Sequence, residues 1–329
     1  MRPITRVQGS QVLGIGTFRP PRVVANTELL PATGHTDEWV RRRTGIRARR
    51  HAGPGDTIAA MAVHAAGQAL STAGVAAGDV DMVLVATMSD VRQSPAAAPE
   101  IASLCGAVRA AALDIDAACA GFSYGLGLAD AMVRAGAARH VLLVGVERMT
   151  DIVSPHDTTG LLFGDGAGAA IVGPGVDMGI GPTVWGADGS RRHLIGHASS
   201  WVEYRDRPEL AWPTMAMAGR EVFRWAVDAV PDIGRRAVEA AGLTLAEIDA
   251  LVPHQANLRI IERVAGQLDL KPGTPVADDI VRSGNTSAAS IPLALAGLRE
   301  QGRLAPGSWA LLIGFGAGLA YAAQVIRSP

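Results

Sequence analysis

The chain has 329 residues, 48% of them hydrophobic, and its 30 basic residues nearly balance 31 acidic ones, for a formal net charge of −1. This length and apolar content can bury a large core in one double domain or two, and the balanced charge gives no indication of nucleic-acid or membrane binding. With no charged-then-apolar leader, no apolar run long enough to cross a bilayer and no disulfide framework, we expect a cytoplasmic protein.

Cys119 follows a predicted strand and precedes a predicted helix. The apolar run from Ala110 to Ile115 predicts a buried strand, and apolar residues at helical spacing follow between Leu126 and Val133. A sulfur at the first turn of a helix faces unpaired N–H groups and the positive helix end. These can supply most of the roughly 2 kcal/mol needed to lower a thiol pKa from about 8.5 to about 7. The alternative is a small buried hydrophobic residue, which is what we expect of Cys105.

Residues 183–220 break the alternation of strand and helix. They hold large apolar side chains among proline, glycine and charged residues: Trp185, Trp201, Trp212, Met215 and Met217. This pattern indicates either a long excursion that covers a cleft or aromatic residues scattered over a surface. His193 and His197 lie four residues apart without a third ligand nearby, so we expect no metal site.

His254 also lies at a junction between a strand and a helix. The short apolar strand from Ala250 to Val252 runs into it, and apolar residues at helical spacing follow from Leu258 to Leu268. A positive helix end disfavours the imidazolium form, so a neutral ring would be available as a hydrogen-bond donor. The alternative is a structural histidine at a helix cap.

Asn285 lies among small residues before another helical pattern, from Leu293 to Leu298. A single asparagine in such a place is usually a cap or a turn residue. Cys119, His254 and Asn285 nevertheless share one kind of position, because each comes shortly before a predicted helix.

An internal repeat relates the two ends of the chain. Residues 69–83 match residues 237–251 at a constant spacing of 168, and residues 166–172 resemble residues 316–322 at a spacing of 150. The smaller spacing implies a shorter connection in the second half. Two α/β halves related by a pseudo-twofold axis would bring corresponding helix starts together in one cleft. We therefore predict one half over residues 1–175, with the nucleophile, and another over residues 176–329, with the histidine and asparagine.

Five motifs in this order carry a resemblance that spans essentially the whole chain. They are Asp37-Glu-Trp-Val-Arg-Arg-Arg-Thr-Gly-Ile, Asp116-Ala-Ala-Cys-Ala-Gly-Phe, Phe163-Gly-Asp-Gly-Ala-Gly, Val252-Pro-His-Gln-Ala-Asn-Leu-Arg-Ile and Gly284-Asn-Thr-Ser-Ala-Ala-Ser-Ile-Pro. Together they resemble the β-ketoacyl-[acyl-carrier-protein] synthases III, the initiating condensing enzymes of the thiolase superfamily. The resemblance implies a thiolase-like α/β fold with five layers (αβαβα), a homodimer, and no cofactor. Its substrates would be an acyl-CoA starter and malonyl-carrier protein.

The resemblance also implies a division of chemical roles. Cys119 would attack an acyl thioester and carry the acyl group, and decarboxylation of malonyl-carrier protein would supply the carbanion that condenses with it. His254 and Asn285 would be neutral donors to the enolate oxygen, each commonly worth about 10²–10³ in rate. Backbone N–H groups of Cys119, Gly316 and Ala317 would form the oxyanion hole, although family members often carry glycine in place of Ala317.

Carrier recognition is carried over from the family in the same way. The positions that match contacts to coenzyme A and its pantetheine arm are Trp39, Arg43, Gly219, Phe223 and Asn257. Those that match contacts to the acidic carrier protein are Arg224, Gln255 and Arg259.

Two positions depart from the family pattern. Asp157 stands where relatives have an arginine that stacks on the adenine of coenzyme A, which leaves adenine binding and the form of the acyl donor open. Ser94 stands where some relatives place a phenylalanine that reaches across a dimer interface into the acyl pocket. The smaller Ser94 would leave room for a longer, branched or ring-bearing starter.

Three other functions are alternatives to condensation. A degradative thiolase would need a second cysteine in the loop around Gly316, which has none. A starter-unit acyltransferase acting from Cys119 remains an alternative, but relatives with that role tend to replace the asparagine at the position of Asn285. A non-catalytic partner of a condensing pair would usually lack the nucleophile.

Overall fold

The computed structural model describes residues 9–207 and 209–329, which form strands and helices throughout. The strands are β1 (Gly9–Phe18), β2 (Arg22–Ala25), β3 (Ala48–His51), β4 (Met82–Ala86), β5 (Ala111–Ile115), β6 (Val141–Glu147), β7 (Gly166–Gly175), β8 (Val184–Gly186), β9 (Ile195–His197), β10 (Met215–Met217), β11 (Ala250–Pro253), β12 (Trp309–Phe315) and β13 (Tyr321–Arg327).

The α-helices are α1 (Asn26–Thr33), α2 (Asp37–Thr44), α3 (Ile58–Ala73), α4 (Ala97–Leu104), α5 (Gly121–Ala135), α6 (Thr158–Leu162), α7 (Trp201–Asp206), α8 (Gly219–Ala240), α9 (Leu258–Ala265), α10 (Ile280–Ser283) and α11 (Ser290–Glu300). Short 3₁₀ helices cover Ala77–Asp79, Ala118–Ala120, Met149–Asp151, Gly189–Leu194, Leu245–Glu247, Ser287–Ala289 and Ala317–Leu319. Within the described ranges, no helix combines the length and apolarity needed to span a membrane.

The two main sheets have the same strand order and the same strand directions. The first sheet has the order β1-β7-β6-β4-β5, with β4 parallel to β5 and β6, and β7 antiparallel to β6 and β1. The second has the order β11-β12-β13-β8, with β11 parallel to β12, and β13 antiparallel to β12 and β8. A parallel bridge from Leu251 to Val276 adds the counterpart of β5. The predicted duplication is therefore present in the chain topology.

The register confirms one of the two predicted repeat spacings and shows that the other is wrong. Strand β11 follows β4 by 168 residues, and β12 follows β6 by the same spacing. Gly166, however, pairs with Glu147 inside the first sheet, and the equivalent pairing in the second sheet joins Tyr321 to Phe315. Gly316 lies in the turn between β12 and β13, so its likeness to Gly166 reflects a shared need for a small residue and not an equivalent position.

The helices cover both sheets and fill the space between them. One core cluster joins α5 and α11 to the facing sides of both sheets, through residues such as Leu126 and Leu295. A second packs α3 and α4 on the outer face of the first sheet, and a third packs α8 and α9 on the outer face of the second. Alternation along β6 explains this, because Leu142 and Leu143 point to opposite clusters. The layers are αβαβα, as predicted, and the predicted boundary between residues 175 and 176, which falls at the end of β7, stays a prediction.

The two middle helices begin at equivalent turns that meet at the pseudo-twofold interface. Ala118 and Ser287 each have a left-handed φ of 46° in the 3₁₀ turn that precedes α5 or α11. Gly145 lies against the second turn, where a Cβ atom would come 2.5 Å from the carbonyl oxygen of Ala288. A left-handed backbone is unusual for residues other than glycine, and such strain is concentrated at functional sites.

Candidate active site

Cys119, His254 and Asn285 line one cavity of about 590 Å³, which we call the central cavity. Cys119 belongs to the 3₁₀ turn before α5, His254 follows β11, and Asn285 precedes the turn that leads into α11. Both halves of the fold thus contribute to the cavity at the carboxyl ends of parallel strands, where ligand sites are favoured. The three residues that the sequence places far apart are brought together as predicted.

Gly316 lies directly against the nucleophile candidate. A Cβ atom at Gly316 would stand 2.8 Å from the Cβ, 2.9 Å from the backbone nitrogen and 3.2 Å from the sulfur of Cys119. Because real Cβ atoms do not approach backbone so closely, only glycine allows the turn after β12 to reach Cys119. The residue is therefore required by close approach, since its φ of −177° is ordinary extended backbone.

The expected lowering of the Cys119 pKa is not what the structure gives. Cys119 lies before α5 as expected, but burial raises the pKa of its thiol to about 12. The Glu147 carboxylate raises this pKa further, whereas Ser287 and the N–H of Cys119 itself act to lower it. The sequence shows the helix end but not the depth at which the sulfur lies. Burial thus favours the neutral thiol over the thiolate at this sulfur.

His254 is neutral, as predicted, but for a different reason. Burial lowers its pKa to about 3, whereas the following helix begins only at Leu258 and contributes no first turn at the ring. Its Nδ1 lies 2.7 Å from the hydroxyl oxygen of Ser290, which also accepts the N–H of Gln255 at 3.3 Å. We assign the tautomer in which Ser290 donates its proton to Nδ1, and in that tautomer the ring proton is on Nε2.

Asn285 is held in one orientation by three hydrogen bonds. Its N–H donates to Leu162 at 2.9 Å, and its carbonyl oxygen accepts from Gly164 at 3.0 Å. The side-chain oxygen accepts the N–H of Ser287 at 2.9 Å, and this bond assigns the amide orientation. The side-chain NH₂ group has no acceptor among residues 9–207 and 209–329, and it belongs to a residue that lines the central cavity. Asn285 and His254 thus present two neutral donors there.

The oxyanion hole differs from the prediction in one donor. Gly316 donates its N–H to the carbonyl oxygen of Ala320 at 2.9 Å, so this group is already used and its predicted role as a donor is wrong. In the described part of the chain, the N–H groups of Cys119 and Ala317 donate to no backbone carbonyl. These two remain the candidates, and Ala317 keeps its N–H whatever its side chain.

The predicted coenzyme A positions surround the mouth of the central cavity. Those that line it are Trp39, Arg43, Gly219, Phe223 and Asn257. The His35 ring stacks on one face of Trp39, with centroids 3.8 Å apart, and the Arg43 guanidinium lies 5.9 Å from the Trp39 ring. The side-chain oxygen of Asn257 caps α9 by accepting the Arg259 N–H, and its NH₂ group donates to the carbonyl oxygen of Arg43.

Two of the three predicted carrier-protein residues are exposed at this mouth. Arg224 and Arg259 both line the cavity, and the Arg259 guanidinium lies 5.3 Å from the Phe223 ring. The prediction for Gln255 is wrong, because this side chain is only 1% exposed. Its NH₂ group donates to the carbonyl oxygens of Pro253 and Ala277, and its oxygen accepts the Ile280 N–H. Gln255 ties the His254 loop to the core and cannot reach a partner.

The two positions that depart from the family pattern lie outside the central cavity. Asp157 caps α6 by accepting the N–H of Thr159 at 2.7 Å, and the cavity is lined instead by the next residue, Thr158. Ser94 is exposed and lines neither large cavity of the described residues. Its predicted role depends on a second subunit and stays a prediction.

The excursion over residues 183–220 covers the cleft with aliphatic side chains and leaves tryptophans outside. Ile195, Met215 and Met217 line the central cavity. Trp201 and Trp212 contact each other with ring centroids 5.0 Å apart and are 40% and 48% exposed. The two predicted alternatives, a segment that covers a cleft and aromatic residues scattered over a surface, are therefore both present in different parts of the segment.

Cys105 differs from Cys119 in position more than in acidity. Burial raises the pKa of the Cys105 thiol to about 11, and the residue ends α4 against the outer core. It contributes to neither of the two large cavities in the described ranges. Those same ranges hold no group of three or more His, Cys, Asp or Glu residues arranged to bind a metal.

Sequence reasoning missed four residues around the site. Glu147 and Ser287 lie beside Cys119, Ser290 orients His254, and Arg220 adds a charge at the cavity mouth. The left-handed turn of Ser287 gives no pattern in the sequence, but Ser290 lies in the same quoted motif as Asn285. Its place five residues after Asn285, at the start of α11, could have indicated a residue that faces the same interface.

Comparisons with known proteins extend over the whole chain. Family models described as 3-oxoacyl-[acyl-carrier-protein (ACP)] synthase III and as the C-terminal part of that enzyme match residues 113–189 and 238–328. The β-ketoacyl-[acyl-carrier-protein] synthase III of Streptomyces glaucescens is 44% identical over 330 residues, covering 100% of this chain and 99% of the relative. Synthase III 1 of Streptomyces coelicolor is 46% identical over 340 residues, with the same coverage.

Solved structures resemble the fold closely. The priming β-ketosynthase of the R1128 polyketide biosynthetic pathway superimposes with a TM-score of 0.97 at 45% identity, covering 100% of this chain and 98% of that one. The 3-oxoacyl-[acyl-carrier-protein] synthase III of Aquifex aeolicus gives a TM-score of 0.90 at 34% identity, covering 97% and 100%.

Proposed function

The chain belongs to the β-ketoacyl-[acyl-carrier-protein] synthase III family of condensing acyltransferases, which have the thiolase fold, and on this premise we propose that its condensation runs through Cys119, His254 and Asn285. Such condensation initiates the synthesis of a fatty acid or a polyketide. The observation that carries the assignment is that a thiol and two neutral side-chain donors line one cavity.

In the first step the sulfur of Cys119 attacks the carbonyl carbon of an acyl thioester. Negative charge develops on the carbonyl oxygen, and the N–H groups of Cys119 and Ala317 are the donors that stabilise it. The close approach of Gly316 keeps both donors near the sulfur. Collapse of the intermediate leaves the starter on Cys119 and releases the donor thiolate.

In the second step malonyl-carrier protein loses carbon dioxide, and the resulting enolate attacks the acyl group on Cys119. Nε2 of His254 and the NH₂ group of Asn285 donate to the enolate oxygen. Both donors are uncharged and fixed by Ser290 and the Ser287 N–H, so they need not reorganise as the charge forms. Acyl transfer to a hydroxyl would form no enolate and would not need this pair.

The starter thioester and the arm of malonyl-carrier protein enter through the mouth formed by Trp39, Arg43 and the first turns of α8 and α9. We assign the pantetheine arm to this passage and the acidic carrier surface to Arg220, Arg224 and Arg259 around it. Rim charges of this kind act mainly by steering and orienting the partner.

We also propose that the protein is a homodimer. The exposed edge of the first sheet supports this. Strand β5 is an edge strand, and Leu113 on it is 40% exposed. Val108, in the approach to that strand, is 75% exposed. An uncovered edge with apolar side chains is a surface that proteins normally pair or protect. The two free cysteines are consistent with action in the reducing cytoplasm.

Peptide mapping after acylation tests the function. We expect incubation with acyl-CoA and acyl-carrier-protein thioesters to add one acyl mass to the peptide that contains Cys119. Cys105 serves as the internal control, because its thiol has a similarly raised pKa but no place in the central cavity. Label on Cys105, or none from any short, branched or longer starter, would contradict the proposal.

The carrier surface can be tested by charge reversal. Arg224→Glu and Arg259→Glu should weaken the use of malonyl-carrier protein about tenfold at low salt, because repulsion replaces steering, and the loss should shrink as salt is added. Arg236→Glu is the matched control, since this exposed arginine lies on α8 away from the cavity. Acylation from a small N-acetylcysteamine thioester should not change, and an equal loss with both substrates would show that steering is not the cause.

A further inference from the structure

The mouth of the central cavity has two aromatic rings within reach of a ligand, Trp39 and Phe223, and other side chains already contact both. The His35 ring lies parallel to the Trp39 indole, with centroids 3.8 Å apart and planes at 5°, and the Arg43 guanidinium lies 5.9 Å from the same indole. His35 precedes Trp39 by four residues and Arg43 follows it by four, so they approach the indole from opposite directions along α2. Neither face of Trp39 is left open.

Phe223 is enclosed in the same way. It packs against the core cluster under α8, and the Arg259 guanidinium lies 5.3 Å from the centre of its ring. The other aromatic side chains that line the cavity, Phe163 and Phe315, are buried in its wall at 5% and 2% exposure. Among the described residues, the mouth therefore offers no free ring to a flat ligand.

This arrangement is unfavourable for a nucleotide. Proteins hold a base largely by stacking it on an aromatic ring or a guanidinium plane, and one such contact is commonly worth about tenfold in affinity or more. A base that stacked on Trp39 would have to displace His35 or Arg43, so it would only exchange one stacked contact for another. The nearby wall at α6 offers no substitute, because His156 and Asp157 line neither large cavity and the Asp157 carboxylate caps the helix.

Four arginines suit the same mouth to an acidic protein. Arg43, Arg220, Arg224 and Arg259 are exposed and line the cavity, whereas no aspartate or glutamate does. In the described part of the chain, none of the four forms an ion pair. Each can therefore bind a carboxylate of a partner or the phosphate of a pantetheine arm. A carrier protein brings many carboxylates and one phosphate, and it needs no ring for a base.

We propose that the starter reaches Cys119 on a carrier protein and not on coenzyme A. This assignment names the acyl donor of the proposed function and depends on that function. Both half-reactions then use one kind of partner and one docking surface. The nucleotide part of coenzyme A contributes nothing to binding.

The transfer is a thioester exchange with no change of oxidation state. The bond between the Cys119 sulfur and the acyl carbon forms, and the bond between that carbon and the sulfur of the pantetheine arm breaks. The electron pair of the broken bond stays on the arm's sulfur, which takes up one proton and leaves as a thiol, while Cys119 gives up one proton. The free carrier then dissociates and leaves the mouth to malonyl-carrier protein.

The test compares three donors of the same acyl group: an acyl-carrier protein, the acyl-CoA and the acyl-4′-phosphopantetheine. The last two differ only in the adenosine 3′,5′-bisphosphate part of coenzyme A. Acylation of Cys119 by acetyl, isobutyryl and hexanoyl donors is followed by rapid quench and intact mass. We expect the second-order rate constants for acyl-CoA and acyl-phosphopantetheine to agree within about threefold, and that of the carrier protein to be at least about tenfold higher at low salt.

His35→Ala should create the missing site for a base. With one face of Trp39 open, the acyl-CoA concentration that gives half the maximal rate should fall about tenfold, while the maximal rate and the reaction of acyl-phosphopantetheine stay unchanged. His64→Ala is the matched control. This histidine also contacts an aromatic ring, that of Phe18 at a centroid distance of 5.0 Å, but it lines neither large cavity. It should change none of these values.

A failure of the proposed function would look different from a failure of this donor assignment. Wild-type protein that no donor acylates, with any of these acyl groups, would end the proposed function itself. Acylation of Cys119 that is more than about threefold faster from acyl-CoA than from acyl-phosphopantetheine would overturn the carrier-bound starter alone. The same holds if acyl-CoA reacts as fast as the carrier protein, or if His35→Ala leaves the half-maximal concentration of acyl-CoA unchanged.

Discussion

His254→Ala and Asn285→Ala should each slow the decarboxylation of malonyl-carrier protein by about 10²–10³-fold. Each variant removes one of the two neutral donors that face the central cavity, and the enolate oxygen then keeps part of its charge unpaired. Acylation of Cys119 should stay within a few fold of wild type, because its oxyanion donors are backbone N–H groups. The measurement is release of carbon dioxide from malonyl-carrier protein, compared with acyl mass gained by the enzyme.

Asn285→Asp provides a matched variant of nearly the same shape. Its carboxylate can still accept the Ser287 N–H, but it replaces the donor with a negative charge beside the developing enolate. We expect decarboxylation at least as slow as in Asn285→Ala. Variants that released carbon dioxide at wild-type rates, or that lost acylation to the same extent, would show that the two donors serve another step.

The junctions that carry the site could be predicted because local periodicity changes there. The apolar run before Cys119 was predicted as a strand over Ala110–Ile115 and is observed over Ala111–Ile115, and the helix that follows is α5. The same reasoning placed His254 after β11 and Asn285 before α11. A duplicated topology then converts three separate junctions into one cleft, because equivalent ends of equivalent strands meet at the pseudo-twofold axis.

The features of the site that could not be predicted depend on how deeply a side chain is buried and on which groups it hydrogen-bonds. Gln255 lies between two cavity residues in a polar stretch, yet its amide is satisfied by backbone groups of Pro253 in the same stretch and of Ala277 and Ile280 in another. The N–H of Gly316 is used by Ala320, and this depends on how tightly the turn after β12 closes. The pKa of Cys119 depends on burial that exceeds the effect of the helix end. None of these properties is indicated by a periodicity or a residue spacing in the sequence.

Gly316→Ala should reduce acylation of Cys119 by at least about 10²-fold. The added Cβ atom would lie 2.8 Å from the Cys119 Cβ and 2.9 Å from its backbone nitrogen, and one of the two turns must move. Gly316 is held by its bond to Ala320 between β12 and β13, so the Cys119 turn is the part that gives way. That turn carries both the sulfur and one oxyanion donor, and loss of one such donor costs about 10²–10³ in rate.

Rapid-quench measurement of the rate of Cys119 acylation, together with thermal unfolding, checks this prediction. Overpacking should also lower the free energy of unfolding by roughly 1–3 kcal/mol. Gly78→Ala is the control, because a Cβ atom there meets no heavy atom within 4 Å and the residue is exposed, so both rate and stability should stay near wild type. If Gly316→Ala were acylated at the wild-type rate, the close approach of the two turns would not set the reactive geometry. The oxyanion donors would then have to be sought elsewhere in the cavity wall.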